Sequence, residues 1–134
     1  MAENYVTGDL RMRATVVKRV SLDAAHFLPG YEGKCANMHG HRWVVELGVS
    51  GEVDPDTGMV IDFGELSAFL KEKVVERFDH HLINDVIENP TAECIALRIR
   101  TSWVVWSEEN CLAVGLSFLR VWETEDSYAE VRDE

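Results

Sequence analysis

Two patterns meet between Cys35 and Gly51, and together they limit what this chain can build. Trp43, Val45, Leu47 and Val49 alternate with Val44, Glu46, Gly48 and Ser50. Alternation of this kind marks a strand with one buried face, because successive strand side chains point to opposite sides of a sheet. Directly before it stands Cys35-Ala36-Asn37-Met38-His39-Gly40-His41. If that segment is extended, His39 and His41 share a face. A third histidine, His26, lies upstream in Ala24-Ala25-His26-Phe27, at the end of the β-branched run Thr15–Ala25. Three neutral imidazoles brought together from two strands supply the ligand count of a catalytic zinc site, which keeps a fourth position open. Cys35 either closes a tetrahedral structural site or stays unligated as a base or nucleophile. The plain alternative is a pair of strand histidines hydrogen-bonded near a loop.

The rest of the chain reads as strands around two helices. Leu28–Lys34 carries the Pro and Gly of a loop. The second strand runs from about Arg42 to Gly51. Asp54-Pro55-Asp56-Thr57-Gly58 has turn chemistry, so Met59-Val60-Ile61 is expected to return as a third strand of a hairpin. Asp62, with Glu65 three residues on, resembles a capping box. Leu66, Phe69, Leu70, Val74 and Phe78 then repeat at helical spacing. Asn89-Pro90-Thr91 marks a second helix start, followed by Ile95, Ile99, Trp103 and Trp106 up to about Ser107. Val114–Thr124 is a further strand, with Leu116, Phe118 and Trp122 on one face and Leu119, Val121 and Glu123 on the other. Tyr128–Arg132 is a short last strand. The order β-β-β-α-α-β-β gives an α+β domain, residues 14–134, with an antiparallel sheet and helices on one face. Such a sheet leaves open edges, and pairing between subunits is one way to hide them.

Composition narrows the function. Lys and Arg number 13 against 24 Asp and Glu, a formal net charge of −11. Such a surface repels nucleic acid and anionic membranes, so neither is expected as a partner. No apolar run approaches the ~20 residues needed to cross a bilayer. Residues 1–13 read as a loose leader without the apolar core of a signal peptide, which makes the cytoplasm the expected location. Three cysteines, an odd number, argue against a disulfide framework. Cys94 and Cys111 read as packing residues.

Two further groups have both a chemical and a plain reading. Asp79-His80 places a carboxylate where it can fix an imidazole's tautomer. Alternatively, His80 and His81 simply meet the negative end of the first helix. Glu123 lies on the face of Leu119 and Val121, where an unpaired carboxylate is costly. It either accepts two hydrogen bonds from a flat heterocycle or points out at the sheet end.

Ala24-Ala25-His26, Cys35 with His39-Gly40-His41, Gly58–Phe63, Asp79-His80-His81-Leu82-Ile83-Asn84, Asn89-Pro90-Thr91-Ala92-Glu93 and Glu123-Thr124 stand in one order along the chain. In that order they resemble the 6-pyruvoyl-tetrahydropterin synthase and 6-carboxytetrahydropterin synthase family, over about Arg19–Thr124. The resemblance implies the tunnelling fold, a four-stranded antiparallel sheet with two helices on one face. In that fold subunit sheets join into an oligomeric barrel, commonly a homohexamer of two trimers. It implies that His26, His39 and His41 bind catalytic zinc, that Cys35 abstracts a proton, and that Asp79 and His80 form a second acid/base group. Glu123 would anchor a pterin ring, with Thr91 as a helper. The three-residue spacer between Cys35 and His39 resembles the 6-carboxy branch, which serves queuosine and 7-deazaguanine synthesis. Its substrate is 7,8-dihydroneopterin triphosphate. Another branch carries glutamate in place of this cysteine. Trp122, where relatives often have a basic residue, and Val131, where an aromatic is common, depart from the pattern.

Overall fold

The computed structural model describes residues 12–133. Four strands form one antiparallel sheet in the order β1-β2-β3-β4: β1 (Arg13–His26), β2 (His39–Glu52), β3 (Gly115–Thr124) and β4 (Ser127–Val131). Two α-helical segments lie between β2 and β3, with a short 3₁₀ turn, Ile83–Asp85, between them. The first is α1 (Phe63–Leu70), which continues through a π-helical stretch, Lys71–Val75, into a last turn, Glu76–Phe78. The second is α2 (Ala92–Glu109). The expected leader falls outside the described residues as far as residue 11, and Arg13 already belongs to β1.

Local chemistry sets each helix. The Asp62 carboxylate accepts the Gly64 N–H at 2.7 Å and starts α1. Leu66, Leu70, Val74 and Phe78 follow at steps of four, and each step overshoots a 3.6-residue turn by about 40°. The wider i→i+5 π-turn takes up that drift, so all four stay buried with Phe69. Thr91 caps α2, its hydroxyl accepting the Cys94 N–H at 3.1 Å. Ile95, Ala96, Ile99 and Trp103 then face the sheet. The alternating residues of β2 meet them from below, with Trp43, Val45, Leu47 and Val49 at most 1% exposed, joined by Leu22, Ala24, Leu119 and Val121.

Two expectations fail. Met59–Ile61 forms no strand. β2 is hydrogen-bonded to β1 on one side and β3 on the other, so it has no free edge for a returning segment. The Asp54–Gly58 turn is closed locally instead: Gly58 N–H donates to Asp54 O at 2.7 Å, and Asp54 N–H to Met59 O at 2.9 Å. Gly58 adopts φ +74°, which favours glycine. The order is therefore β-β-α-α-β-β. Leu116 also changes face. The β2–β3 register pairs Gly48 with Phe118 but Val49 with Leu116, leaving Ser117 as the extra residue of a bulge. That turns Leu116 onto the core while Phe118 and Trp122 stay on the opposite face.

Candidate active site

The β1–β2 register places His26 opposite His39, and Ala24 opposite His41. All three histidines point to the helix side, and their donor atoms lie within 4.8 Å of one another. The Trp43 indole forms their floor, edge-on to His26 and His41 at ring distances of 4.9 and 5.3 Å. Its Nε1–H donates to Ala24 O at 3.2 Å.

The ring tautomers follow from the neighbours. His26 Nδ1 lies 2.8 Å from Pro90 O, and His39 Nδ1 lies 2.7 Å from Asn37 O. A carbonyl only accepts, so both Nδ1 atoms carry the hydrogen and both Nε2 atoms carry a lone pair. Those two Nε2 atoms face each other at 3.0 Å. His41 Nε2 is buried with no hydrogen-bond partner among the described residues. Burial is also the main reason its pKa falls below the ordinary histidine value; Glu123 opposes the fall and His26 and His39 add to it. Two opposed lone pairs and one orphaned nitrogen converge where a cation would satisfy all three. The site thus fits a divalent metal with a preference for imidazole.

Cys35 sits half-buried in a short 3₁₀ turn, Lys34–Ala36. Its carbonyl accepts the Leu28 N–H at 2.9 Å and closes the loop before the histidines. Among the described residues, the converging donor group holds the three histidines and not this thiol.

Asp79 and His80 do touch. His80 Nδ1 lies 3.0 Å from Asp79 Oδ1, and His80 adopts a left-handed φ of +59°. Asp79 Oδ1 also accepts the Asp23 N–H at 2.9 Å. That backbone hydrogen bond, helped by His80 and His81, holds the carboxyl below its ordinary pKa. The helix-end reading belongs to His81 instead, whose Nδ1 donates to Asp79 O at 2.7 Å. His80 is 79% exposed and lines an open cleft of about 460 Å³ with His41, Arg42 and Asp23.

Glu123 lies on β3 on the helix side, its Oε1 3.6 Å from His41 Nε2. It borders a second cleft, about 410 Å³, between Ala92 and Glu93 at the start of α2 and Ser127–Glu130 of β4. Thr91 stands one residue before that helix, and its oxygen is engaged as the cap. Trp122 faces away from the histidines, its ring tilted against Tyr128 at 4.4 Å and hydrogen-bonded to Glu46. Sequence reasoning missed Trp43 as the floor of the site, since its alternation signals only core. It also missed the Asn37 and Pro90 carbonyls, which carry no side-chain signal.

The model of the 6-pyruvoyl tetrahydropterin synthase family matches residues 15–134. The chain belongs to that family. An Archaeoglobus fulgidus protein carrying a provisional 6-carboxy-5,6,7,8-tetrahydropterin synthase name is 44% identical over 84% of this chain and 90% of its own length. The Synechocystis 6-carboxy-5,6,7,8-tetrahydropterin synthase is 37% identical over 81% of this chain and 85% of its length. The human 6-pyruvoyl tetrahydrobiopterin synthase is 30% identical over 95% and 97%. The Caenorhabditis elegans 6-pyruvoyl tetrahydropterin synthase structure superposes with a TM-score of 0.80, covering 94% of this chain and 99% of that one at 24% identity. It shares the tunnelling fold. The chain is an enzyme similar to the 6-carboxytetrahydropterin synthases, a carbon–carbon lyase. No helix among the described residues is long and apolar enough to cross a membrane.

Proposed function

We propose that the protein is a zinc-dependent lyase that converts 7,8-dihydroneopterin triphosphate and water to 6-carboxy-5,6,7,8-tetrahydropterin, acetaldehyde and triphosphate. The observation that carries the metal half of this reading is the convergence of three Nε2 atoms whose hydrogen-bond needs the protein itself leaves unmet. The 6-carboxy names of the relatives at 44% and 37% identity support the product.

His26, His39 and His41 would hold the zinc. When bound, zinc supplies Lewis acidity toward the hydroxyl oxygens of the substrate side chain and lowers their pKa. The protein's own groups do the rest. Glu123, beside His41 and open to the cleft at β4, accepts N–H hydrogen bonds from the ring and so fixes which carbons face the histidines. Cys35 takes a proton from the side chain as thiolate. The Asp79–His80 pair delivers or removes a second proton; the carboxylate holds His80 Nδ1 protonated and leaves Nε2 free to exchange. The side chain is oxidised as the ring is reduced, so no external redox cofactor is needed. Thr91 keeps one hydroxyl hydrogen to donate while its oxygen caps α2. We place the enzyme in the cytoplasm, in queuosine and 7-deazaguanine synthesis, as a homohexamer whose β1 and β4 edges pair between subunits.

The human relative's name supports a second reading, formation of 6-pyruvoyl-tetrahydropterin. Product analysis separates the two. Acetaldehyde with 6-carboxytetrahydropterin supports the carboxy assignment, and accumulation of the 6-pyruvoyl product sinks it. A non-catalytic zinc protein would require Cys35 as a fourth ligand, and the thiol's place outside the donor group speaks against that.

A further inference from the structure

One side chain outside the chemistry ties the zinc centre to the acid/base pair. Among the described residues β1 is an edge strand. At its C-terminal end, residues 79–84 are stitched to alternate positions along that edge. Asp23 N–H donates to Asp79 Oδ1, and His80 N–H donates to Asp23 O at 2.7 Å. Ala25 N–H donates to His81 O at 3.1 Å, within a parallel bridge between Ala25 and Leu82. The last stitch is made by a side chain. Asn84 Oδ1 accepts the Phe27 N–H at 3.0 Å, and Asn84 Nδ2 donates to Phe27 O at 2.9 Å. The carboxamide thus satisfies both backbone groups of the residue that follows β1, as a neighbouring strand would.

His26 lies between the second and third stitches. Its backbone pairs with His39 inside the sheet, and its ring reaches Pro90 O. Beyond His26 the chain leaves the β1–β2 ladder; the Asn84 carboxamide satisfies both backbone groups of Phe27, and the next restraint is the Leu28 N–H to Cys35 O bond. We infer that Asn84 is a positioning residue for the metal centre: by clamping Phe27 it fixes the backbone that aims His26 Nε2 at His39 and His41. The same strap carries Asp79 and His80, so one segment orients a metal ligand and the acid/base pair. Outer positions that orient metal ligands commonly change affinity by about 10–100-fold when removed. This inference rests on the zinc reading above.

The test is zinc affinity, measured by competition with a chromophoric chelator, on the wild type, Asn84→Ala and Asn84→Asp. It is paired with the visible spectrum of the cobalt-substituted proteins. Asn84→Ala is expected to weaken zinc binding by about 10–100-fold and to alter the cobalt bands. Asn84→Asp keeps the size and the acceptor for Phe27 N–H but sets a carboxylate against Phe27 O. It is expected to fold if the alanine variant does not, and to show the same loss. Ile83→Val trims the buried neighbour without touching the clamp, and should leave affinity within about twofold and the spectrum unchanged. Wild-type affinity and spectrum in either Asn84 variant would overturn the inference while leaving the zinc reading intact. Equal losses in Ile83→Val and Asn84→Ala would overturn it as well. Absence of zinc binding in the wild type would overturn both.

Discussion

Replacing His41 with Phe should separate the metal's contribution from the protein's own. His41 Nε2 is buried and unpartnered, and a buried group in that state costs about 1–3 kcal/mol. A phenyl ring removes that cost. It is larger than imidazole and must fit among rings at 4.8 Å (His39), 5.1 Å (His26) and 5.3 Å (Trp43), which returns a penalty of similar size. Metal-free His41→Phe should therefore match the metal-free wild type within about 1 kcal/mol. The zinc response should differ sharply. At free zinc a hundredfold above the dissociation constant, native-state binding stabilises the wild type by about 2.7 kcal/mol. For 134 residues an unfolding entropy of about 280 cal/mol/K converts this to a rise in Tm of about 10 °C. Loss of one ligand with a hundredfold weaker affinity leaves about 0.4 kcal/mol, a rise under about 2 °C. Thermal melts with and without zinc measure all four values. Equal zinc responses in both proteins would refute the ligand assignment. A fall of more than about 3 kcal/mol in the metal-free variant would refute the claim that His41 is orphaned without metal.

Cys35→Ala should bind zinc with wild-type affinity and lose acetaldehyde release by at least about a hundredfold, since the thiol is proposed as a base and not a ligand; full turnover would end that role. At neutral pH Asp79→Asn should melt between the wild type and Asp79→Ala, because its carbonyl oxygen still accepts the Asp23 N–H but carries no charge; equal melting temperatures for all three would contradict this contact. The Asp79 carboxyl has its folded pKa below the ordinary 3.8, so its contribution to stability is complete above that value and disappears as pH falls below it. An acid titration of Asp79→Asn should lose this component, and an unchanged profile would count against it. Gly48→Ala should cost about 1–3 kcal/mol in chemical denaturation, because an added Cβ would stand 2.4 Å from Phe118 Cε1; a neutral result would mean the ring moves freely.

What the sequence made legible, and what it did not, follows from the range of each interaction. Trp43–Val49 and Leu66–Phe78 announce their buried faces by period alone, and both lie in the core. His39 and His41 share a face because they belong to β2, and the register that brings His26 opposite follows from pairing that strand with β1. Met59–Ile61 misled because a good turn does not guarantee a partner strand; β2 had already spent its edges on β1 and β3. Leu116 misled because one bulged residue, Ser117, reverses a face, and no local propensity marks it. The Asp79–His80 contact comes with a left-handed His80, and a dipeptide reveals neither. Asn84 stood in view within its motif, but its target is the main chain of Phe27, 57 residues away, and only the fold discloses it.

The central claim is a catalytic zinc held by three histidines, with Cys35 left free for proton transfer. The most direct test is a zinc titration of metal-free protein, following bound metal and acetaldehyde release from 7,8-dihydroneopterin triphosphate together. Turnover should rise in proportion to bound zinc and level off at about one ion per chain, for the three histidines form one donor group. Full turnover before zinc is added, or zinc bound one-to-one with no acetaldehyde released, would contradict it.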